Sequence, residues 1–243
     1  ALAAVAVACD QTGLLSMNDD RYLEHLTRRG RVAVVGESVA GYAAVLDRDG
    51  AAYLTDLFVH PGARDRGHGR ALLADMWDGR AERVTTSSQD PRALSGYARF
   101  GAVPSWPIVY LHLVGGASPS APVQASDYEP GDAGWQLERD DLTTFRVLGG
   151  PREPATTAVV HRSGDSWRVL RALTPDPRGL PVLVAELARR AGPQGRVSLT
   201  VPGPHPALPD LLAMGARVGD VDLWCATPGA RDLVDPTREL PSP

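Results

Sequence analysis

One stretch of the chain, Tyr53–Trp77, joins an apolar run to a helical run through a turn with two closely spaced glycines. Tyr53–Val59 has the length and the apolar content of a buried strand. Proline lacks an N–H group and glycine permits a turn, so His60-Pro61-Gly62 ends that strand. Apolar residues then recur at helical spacing from Gly69 onward. The pattern predicts a strand, a turn and a helix in direct succession.

The junction between this strand and this helix has the composition of an anion-binding site. The first N–H groups of a helix have no partner within it and lie at the positive end of its dipole. Gly67 and Gly69 carry no Cβ atom, so a pyrophosphate can approach the backbone closely. Fixed positive charge comes from three arginines, which are Arg64, Arg66 and Arg70. The segment lacks the Gly-Lys-Ser/Thr ending of a P-loop, and its glycine spacing does not fit a dinucleotide fingerprint.

The run from Val59 to Gly69, with Pro61, Arg64 and Gly67 between them, reads Val-x-Pro-x-x-Arg-x-x-Gly-x-Gly. This pattern resembles the acyl-CoA loop of the GNAT superfamily of N-acyltransferases. The resemblance implies an α/β fold, with a twisted mixed sheet flanked by helices, and acetyl-CoA as co-substrate. It also implies backbone contacts to the cofactor from the preceding strand around Phe58 and Val59. The full set of implied cofactor-binding residues is Leu57, Phe58, Val59, Arg64, Arg66, Gly67, His68, Gly69, Arg70, Ala93 and Tyr97.

A second segment, Asp90–Gly101, resembles the family pattern Asn-x-x-Ala-x-x-x-Tyr-x-x-x-Gly, with Ala93 and Tyr97 at the matching positions. The resemblance implies that the Tyr97 hydroxyl lies near the cofactor sulfur. A phenol can protonate a departing thiolate because their pKa values are close. The family's Asn, which makes a polar contact to the cofactor arm, is replaced here by Asp90 or Gln89, depending on the overlay.

The general base is less sharply indicated by the sequence. Asp56 lies on the strand that leads into the loop, where many family members carry an acidic residue, and it is the candidate we favour. His60 follows the strand and could titrate usefully. Glu37 lies in a predicted turn. A chain of water molecules without a single base is the further alternative. The six histidines are scattered without partners at ligand spacing, so we expect no metal site.

Composition limits the class of protein. A chain of 243 residues is long enough for two α/β domains. The net charge of −4 and the absence of a basic face argue against nucleic-acid binding.

The basic residues are all arginines, which with abundant Ala, Gly and Pro suggests a bacterial genome rich in G and C. Two cysteines, Cys9 and Cys225, fit unpaired thiols in a reducing cytoplasm. The apolar start, Ala1–Ala8, is too short to span a membrane.

The order of predicted elements divides the chain in two. Residues 1–114 form the N-terminal acetyltransferase domain, 115–134 a linker rich in Gly, Ser, Ala and Pro, and 135–243 a second domain of similar order. The resemblance implies that the first strand of the N-terminal domain precedes Ala1, and that Ala1–Ala8 continues its first helix. In the second domain the phosphate loop is replaced by 174–179, which has two prolines and no paired glycines. We expect that domain to be degenerate.

The N-terminal half also contains predicted elements around the loop. A short helix is predicted over Asp19–Arg29, a hairpin around Gly36-Glu37-Ser38, and a strand over Arg83–Ser87. A helix that begins after Asp90 is expected to end at Gly101, and a strand over Ile108–Val114 is expected to close this domain.

The resulting functional hypothesis is a direct transfer of an acetyl group from acetyl-CoA to a primary amine of a small molecule or peptide. Tyr97 would be the general acid and Asp56 the base. The alternative is a non-catalytic module that binds acyl-CoA or regulates a partner. A third alternative is a structural subunit that binds no CoA. We expect a monomer or homodimer without nucleic-acid or membrane partners.

Overall fold

The structure of the protein, a computed structural model, describes residues 2–9, 24, 26–28, 31–35, 39–115, 123–127, 142–147 and 155–241. The helices within these ranges are α1 Leu2–Cys9, α2 His68–Met76, α3 Pro91–Ala98, α4 Gly179–Ala191 and α5 Leu208–Ala213. The strands are β1 Arg31–Val35, β2 Gly41–Arg48, β3 Ala51–Val59, β4 Arg83–Ser87, β5 Val103–Val114, β6 Val123–Asp127, β7 Leu142–Val147, β8 Thr156–Ser163, β9 Ser166–Leu173, β10 Arg196–Pro202, β11 Arg217–Ala226 and β12 Glu239–Leu240.

The predicted mixed α/β fold is confirmed, and the local signals explain many of its elements. The apolar run before the glycine loop is β3, and the helical run after it is α2. Asp90 caps α3, because its carboxylate accepts a hydrogen bond from the N–H of Arg92 at 2.9 Å. Pro91 occupies the first turn of that helix, and Gly101, with a φ of 80°, follows its end.

The chain forms two compact units that do not follow a simple division into halves. Unit 1 consists of residues 1–105 and 223–233, and unit 2 consists of residues 106–222 and 234–243. The chain therefore passes between the units three times. The strand expected to close the N-terminal domain, 108–114, is part of β5 and belongs to unit 2. Conversely, the last residues of β11 belong to unit 1.

Unit 1 contains a mixed sheet with the strand order β1-β2-β3-β4-β11. The pair β3–β4 is parallel, and the other neighbouring pairs are antiparallel. Helices α2 and α3 cover one face through an apolar cluster that includes Leu72, Trp77 and Tyr97. Helix α1 covers part of the other face, where Val5 and Ala6 pack near Tyr42.

Unit 2 repeats the same arrangement of elements. Its strand order is β5-β10-β9-β8-β7-β6, and β12 pairs with β9. The pair β9–β10 is parallel, like β3–β4 in unit 1. Helices α4 and α5 pack on one face of this sheet, with Leu183, Leu187 and Leu211 fully buried in the core. The order β7-β8-β9-α4-β10-α5 matches β1-β2-β3-α2-β4-α3 of unit 1.

Several predicted segments lie partly or wholly outside the described residues. The hairpin turn at Gly36-Glu37-Ser38 lies outside them. Within the predicted helix over Asp19–Arg29, residues 24 and 26–28 are described and are helical. Within the predicted linker, 115–134, the structure describes Gly115 and a strand that the composition did not indicate, β6, which pairs antiparallel with β7.

Candidate active site

The loop after β3 holds its backbone in a conformation that depends on glycine. A single 3₁₀ turn, Pro61–Ala63, follows β3, and the Nδ1 atom of His60 accepts a hydrogen bond from the N–H of Gly62 at 3.2 Å. Asp65 and Gly67 then adopt positive φ angles of 63° and 80°. Gly67 is the N-cap of α2, so the first N–H groups of that helix emerge directly from the loop.

The space beside these helical N–H groups is open. A Cβ atom added to Gly67 would have nothing within 4 Å, and one added to Gly69 would meet only a methyl group of Val59 at 3.8 Å. Arg66 and Arg70 are exposed, and neither forms an ion pair with any residue in the described ranges. Free cations and open helical N–H groups fit the diphosphate of a CoA molecule.

Arg64 has a different role from the other two arginines of the loop. Its guanidinium donates a hydrogen bond to the carbonyl oxygen of Val59 at 3.4 Å, so it ties the loop to the end of β3. It also lies near Asp90, the cap of α3. The pKa of Asp90 is lowered mainly by hydrogen bonds from Arg92, with a smaller contribution from the charge of Arg64. Arg64 therefore holds the loop against the end of β3 and adds positive charge near Asp90.

Strands β3 and β4 separate before β3 ends. They pair only from Ala52 opposite Arg83 to Leu54 opposite Thr85, and the Thr85 hydroxyl donates to the carbonyl oxygen of Leu54 at 3.0 Å. Beyond Leu54, the edge of β3 toward β4 has no strand partner within the described part of the chain. An extended ligand can use such an open strand edge for hydrogen bonds.

A β-bulge decides which way the Asp56 side chain points. Ala44 lies opposite Asp56 and Val45 opposite Leu54, so Thr55 is an extra residue in β3. Leu54 and Leu57 both pack against the cluster under α2 and α3, although an uninterrupted strand would place residues three apart on opposite faces. The bulge thus turns Asp56 away from that cluster, toward the face covered by α1.

Asp56 lies in a buried environment with two other polar side chains. Asp56 is only 4% exposed, and Tyr42 on the neighbouring strand is fully buried. Burial, followed by the charge of Asp56, raises the pKa of Tyr42 well above its usual range, and the Cys9 thiol adds to this shift. That thiol donates a hydrogen bond to the carbonyl oxygen of Val59 at 3.3 Å. The Tyr42 hydroxyl has no hydrogen bond of ordinary geometry within the described residues.

Tyr97 lies on the opposite face of the sheet from Asp56. Its ring packs edge-on against Trp77 at 5.8 Å between centroids, and the residue is 6% exposed. Leu57, Val59 and Ala93, all predicted to contact the cofactor, lie in or against the same apolar cluster. Phe58, which was predicted with them, instead contacts the ring of Tyr42 on the other face.

The segment of unit 2 that corresponds to the glycine loop is built differently. Asp176 accepts a hydrogen bond from the N–H of Arg178 through its carboxylate at 3.0 Å and from the N–H of Gly179 through its carbonyl oxygen at 3.0 Å. The start of α4 is therefore already bonded to the chain's own oxygens. A Cβ atom at Gly179 would collide with the hydroxyl of Thr156, so no open space lies beside it.

One protein-family model matches the part of the chain that contains the glycine loop. Residues 28–101 match the model of the acetyltransferase (GNAT) domain. This range contains the loop, Asp56 and Tyr97, and the match supports acyl transfer from an acyl-CoA as the general class of reaction. The comparison with curated proteins finds no match.

Solved structures resemble most of the chain in fold. A proposed acetyltransferase from Pyrococcus horikoshii is 13% identical with a TM-score of 0.69, and the alignment covers 92% of this chain and 84% of that one. A GCN5-related N-acetyltransferase from Sphaerobacter thermophilus is 16% identical with a TM-score of 0.54, over 77% and 76% of the two chains. A tandem GNAT protein from the clavulanic acid biosynthesis pathway is 16% identical with a TM-score of 0.53, over 82% and 83%. At these identities the likeness extends to the fold alone.

Two absences concern only the residues that the structure describes. Among them, no three histidine, cysteine, aspartate or glutamate side chains come together as a possible metal site. In the same ranges, no helix is long and apolar enough to cross a membrane.

The sequence interpretation missed Tyr42 and the bulge at Thr55. Strand alternation around Tyr42 was visible in the sequence, but the extra residue opposite Ala44 depends on strand register, which no local pattern fixes.

Proposed function

We propose that the protein is an N-acetyltransferase that moves an acetyl group from acetyl-CoA directly to a primary amine of a small molecule or peptide. The observation that carries the proposal is the open glycine loop at the start of α2, next to the point where β3 and β4 separate. In this proposal the loop binds the phosphates of acetyl-CoA, and the open edge of β3 forms hydrogen bonds with the extended arm of the cofactor. Both features lie in the segment that matches the acetyltransferase domain.

The proposed chemistry uses the two faces of the sheet. The amine nitrogen attacks the thioester carbonyl carbon, and the carbon–sulfur bond breaks. Asp56, on the α1 face, accepts a proton from the amine directly or through water. Tyr97, under α2 and α3, donates its phenolic proton to the departing thiolate and regains one from solvent. The N–H groups near Phe58 and Val59 are the donors that we assign to the carbonyl oxygen.

We further propose that only unit 1 binds acetyl-CoA and that unit 2 is a degenerate copy. The shared order of elements supports a tandem origin. The bonded start of α4 and the two prolines, Pro175 and Pro177, support the loss of a phosphate site, because they leave few free N–H groups.

The test is an acetyl-CoA assay against a panel of amines, with release of free thiol as the readout, together with calorimetry of CoA binding. The expected results are amine-dependent thiol release and one CoA per chain. CoA binding without turnover on any amine would favour the non-catalytic binding module. Two equivalent CoA sites per chain would exclude a degenerate unit 2, and no binding at all would exclude both functions.

A further inference from the structure

In unit 2 the parallel strands β9 and β10 separate, as β3 and β4 do in unit 1. They pair from Ser166 opposite Arg196 to Val169 opposite Leu199, and β9 then continues to Leu173 without β10. The short C-terminal strand β12 pairs antiparallel with this free end, with Leu240 opposite Ala172. Because β8 already pairs with the other edge of β9 there, β12 lies on the side toward β10. The chain's own C-terminal segment thus fills the gap between the diverging strands.

Unit 1 has no such filling strand in the part of the chain that the structure describes. The edge of β3 from Thr55 to Val59 has β2 on one side and no strand on the side toward β4. The same topological position is therefore open in one unit and occupied in the other. The occupant in unit 2 supplies main-chain hydrogen bonds to the strand edge, as an added peptide strand does.

A buried hydrogen-bond chain holds this segment in place. The N–H of Thr174 donates to the carbonyl oxygen of Arg238 at 2.7 Å, and the Thr174 hydroxyl donates to the same oxygen at 2.8 Å. The Nε2 atom of His205 lies 2.7 Å from that hydroxyl. The Nδ1 atom of His205 accepts from the N–H of Ala207 at 3.2 Å, so the ring proton is on Nε2 and donates to Thr174. Thr174 and His205 are at most 1% exposed.

The segment also has an apolar anchor and a preformed turn. Leu240 is 1% exposed and belongs to the same core as the residues of α4. Asp235 closes the turn before β12: its carbonyl oxygen accepts from the N–H groups of Arg238 and Glu239 at 3.0 and 2.8 Å. Its carboxylate accepts from the N–H and hydroxyl of Thr237 at 2.9 and 2.6 Å. The turn therefore leads directly into the two extended residues of β12, Glu239 and Leu240.

We propose that residues 235–240, which we call the C-terminal clasp, act as a built-in ligand of unit 2. The clasp occupies the groove between β9 and β10, closes it to any extended ligand, including the arm of an acyl-CoA, and stabilises the unit. The comparison with an acyl-CoA arm rests on the proposed function, whereas the occupation of the groove and its effect on stability do not.

The decisive variant is Thr174→Val, which keeps the size of the side chain, removes one of the two hydrogen bonds to the Arg238 carbonyl oxygen and leaves the buried His205 N–H without its acceptor. Thr200→Val is the matched control, because Thr200 is a buried threonine of the same unit whose hydroxyl makes no hydrogen bond to the clasp. Amide hydrogen exchange of the full chain is the measurement. We expect protection of residues 170–174 and 238–240 to fall by about tenfold or more in Thr174→Val, with β2 and β3 of unit 1 unchanged.

Two results would overturn the proposal. One is fast exchange of residues 172–174 and 239–240 in the unaltered protein, because the clasp would then not be seated. The other is an equal response of Thr174→Val and Thr200→Val. Calorimetry with CoA on the same samples separates this question from the proposed function. If the protein does not bind CoA, the proposed acetyltransferase function is wrong, but the exchange result still tests the clasp. If the unaltered protein binds a second CoA, the proposal that the clasp closes the groove is wrong.

Discussion

At the scale of single residues, the position of Asp56 depends on one inserted residue in β3. Leu54 and Leu57 face the same cluster because Thr55 is bulged, and Asp56 consequently faces Tyr42 and α1. A carboxylate that is 4% exposed is costly to ionise unless polar groups surround it. The neighbouring Tyr42 hydroxyl is such a group, and this gives Tyr42 a testable link to the proposed role of Asp56 as the base.

Replacing Tyr42 by Phe removes a hydroxyl dipole beside the Asp56 carboxylate, so the buried carboxylate loses a polar neighbour that favours its charged form. If Asp56 is the base, the acid limb of the kcat/KM profile moves to higher pH, by on the order of one pH unit. Tyr110→Phe is the matched control, since the Tyr110 hydroxyl donates to Asp222 at 2.9 Å within unit 2. An acid limb that responds equally in both variants, or in neither, would contradict the link between Tyr42 and Asp56.

Replacing Tyr97 by Phe keeps the ring that packs against Trp77 and removes the proposed proton donor. General acid catalysis contributes about 10²–10⁴-fold, so kcat is expected to fall into that range while the KM for acetyl-CoA changes little. Steady-state kinetics at saturating amine measure both constants. Nearly full turnover in the variant would assign protonation to water, and a raised KM with unchanged kcat would make Tyr97 a residue that positions the cofactor.

At the scale of elements, the proposed phosphate site at the N-terminus of α2 gives a prediction for cofactor affinity. Gly69→Leu fills the open space beside the helical N–H groups without straining the helical backbone, whereas Gly67 also needs its positive φ. We expect CoA affinity to fall at least tenfold, or about 1.4 kcal/mol, by calorimetry. Ala71→Leu, at an exposed position of the same helix, is the control. Equal affinities of the two variants would mean that the phosphates bind elsewhere.

The cap of α3 gives a prediction for the pH dependence of stability. Hydrogen bonds from Arg92 lower the pKa of Asp90, so Asp90 stabilises the fold above its unfolded pKa of about 3.9. This contribution is lost as the pH falls through the lower pKa of the folded state. Asp90→Ala should reduce the free energy of unfolding by about 1 kcal/mol at pH 7. In urea titrations this difference should shrink as the pH falls below the unfolded pKa of about 3.9 and through the lower folded pKa, and a difference that persists in full at the acid end would exclude a cap that depends on the carboxylate.

At the scale of the whole molecule, neither half of the chain contains all the strands of one unit. Residues 223–226 pair with β4 in unit 1, and residues 108–114 pair with β10 in unit 2. Each of two fragments, 1–114 and 123–243, would therefore leave a sheet edge without its native partner. We expect neither fragment to show a cooperative thermal transition alone, and their co-expression to restore one. Two independent cooperative melts would instead support the simple division at the 115–134 segment.

The sequence by itself determined the local elements and the candidate site loop. Apolar periodicity predicted β3 and α2, the Asp90-Pro91 pair predicted the start of α3, and the two glycines predicted the anion site, because each depends on neighbouring residues only. Which strand pairs with which was decided by the tertiary structure, since edge partners are chosen by backbone hydrogen bonds and burial far apart in the chain. Three features therefore appear only in the folded protein. Most of β5 belongs to unit 2 and the end of β11 to unit 1, the bulge in β3 turns Asp56, and β12 pairs with β9.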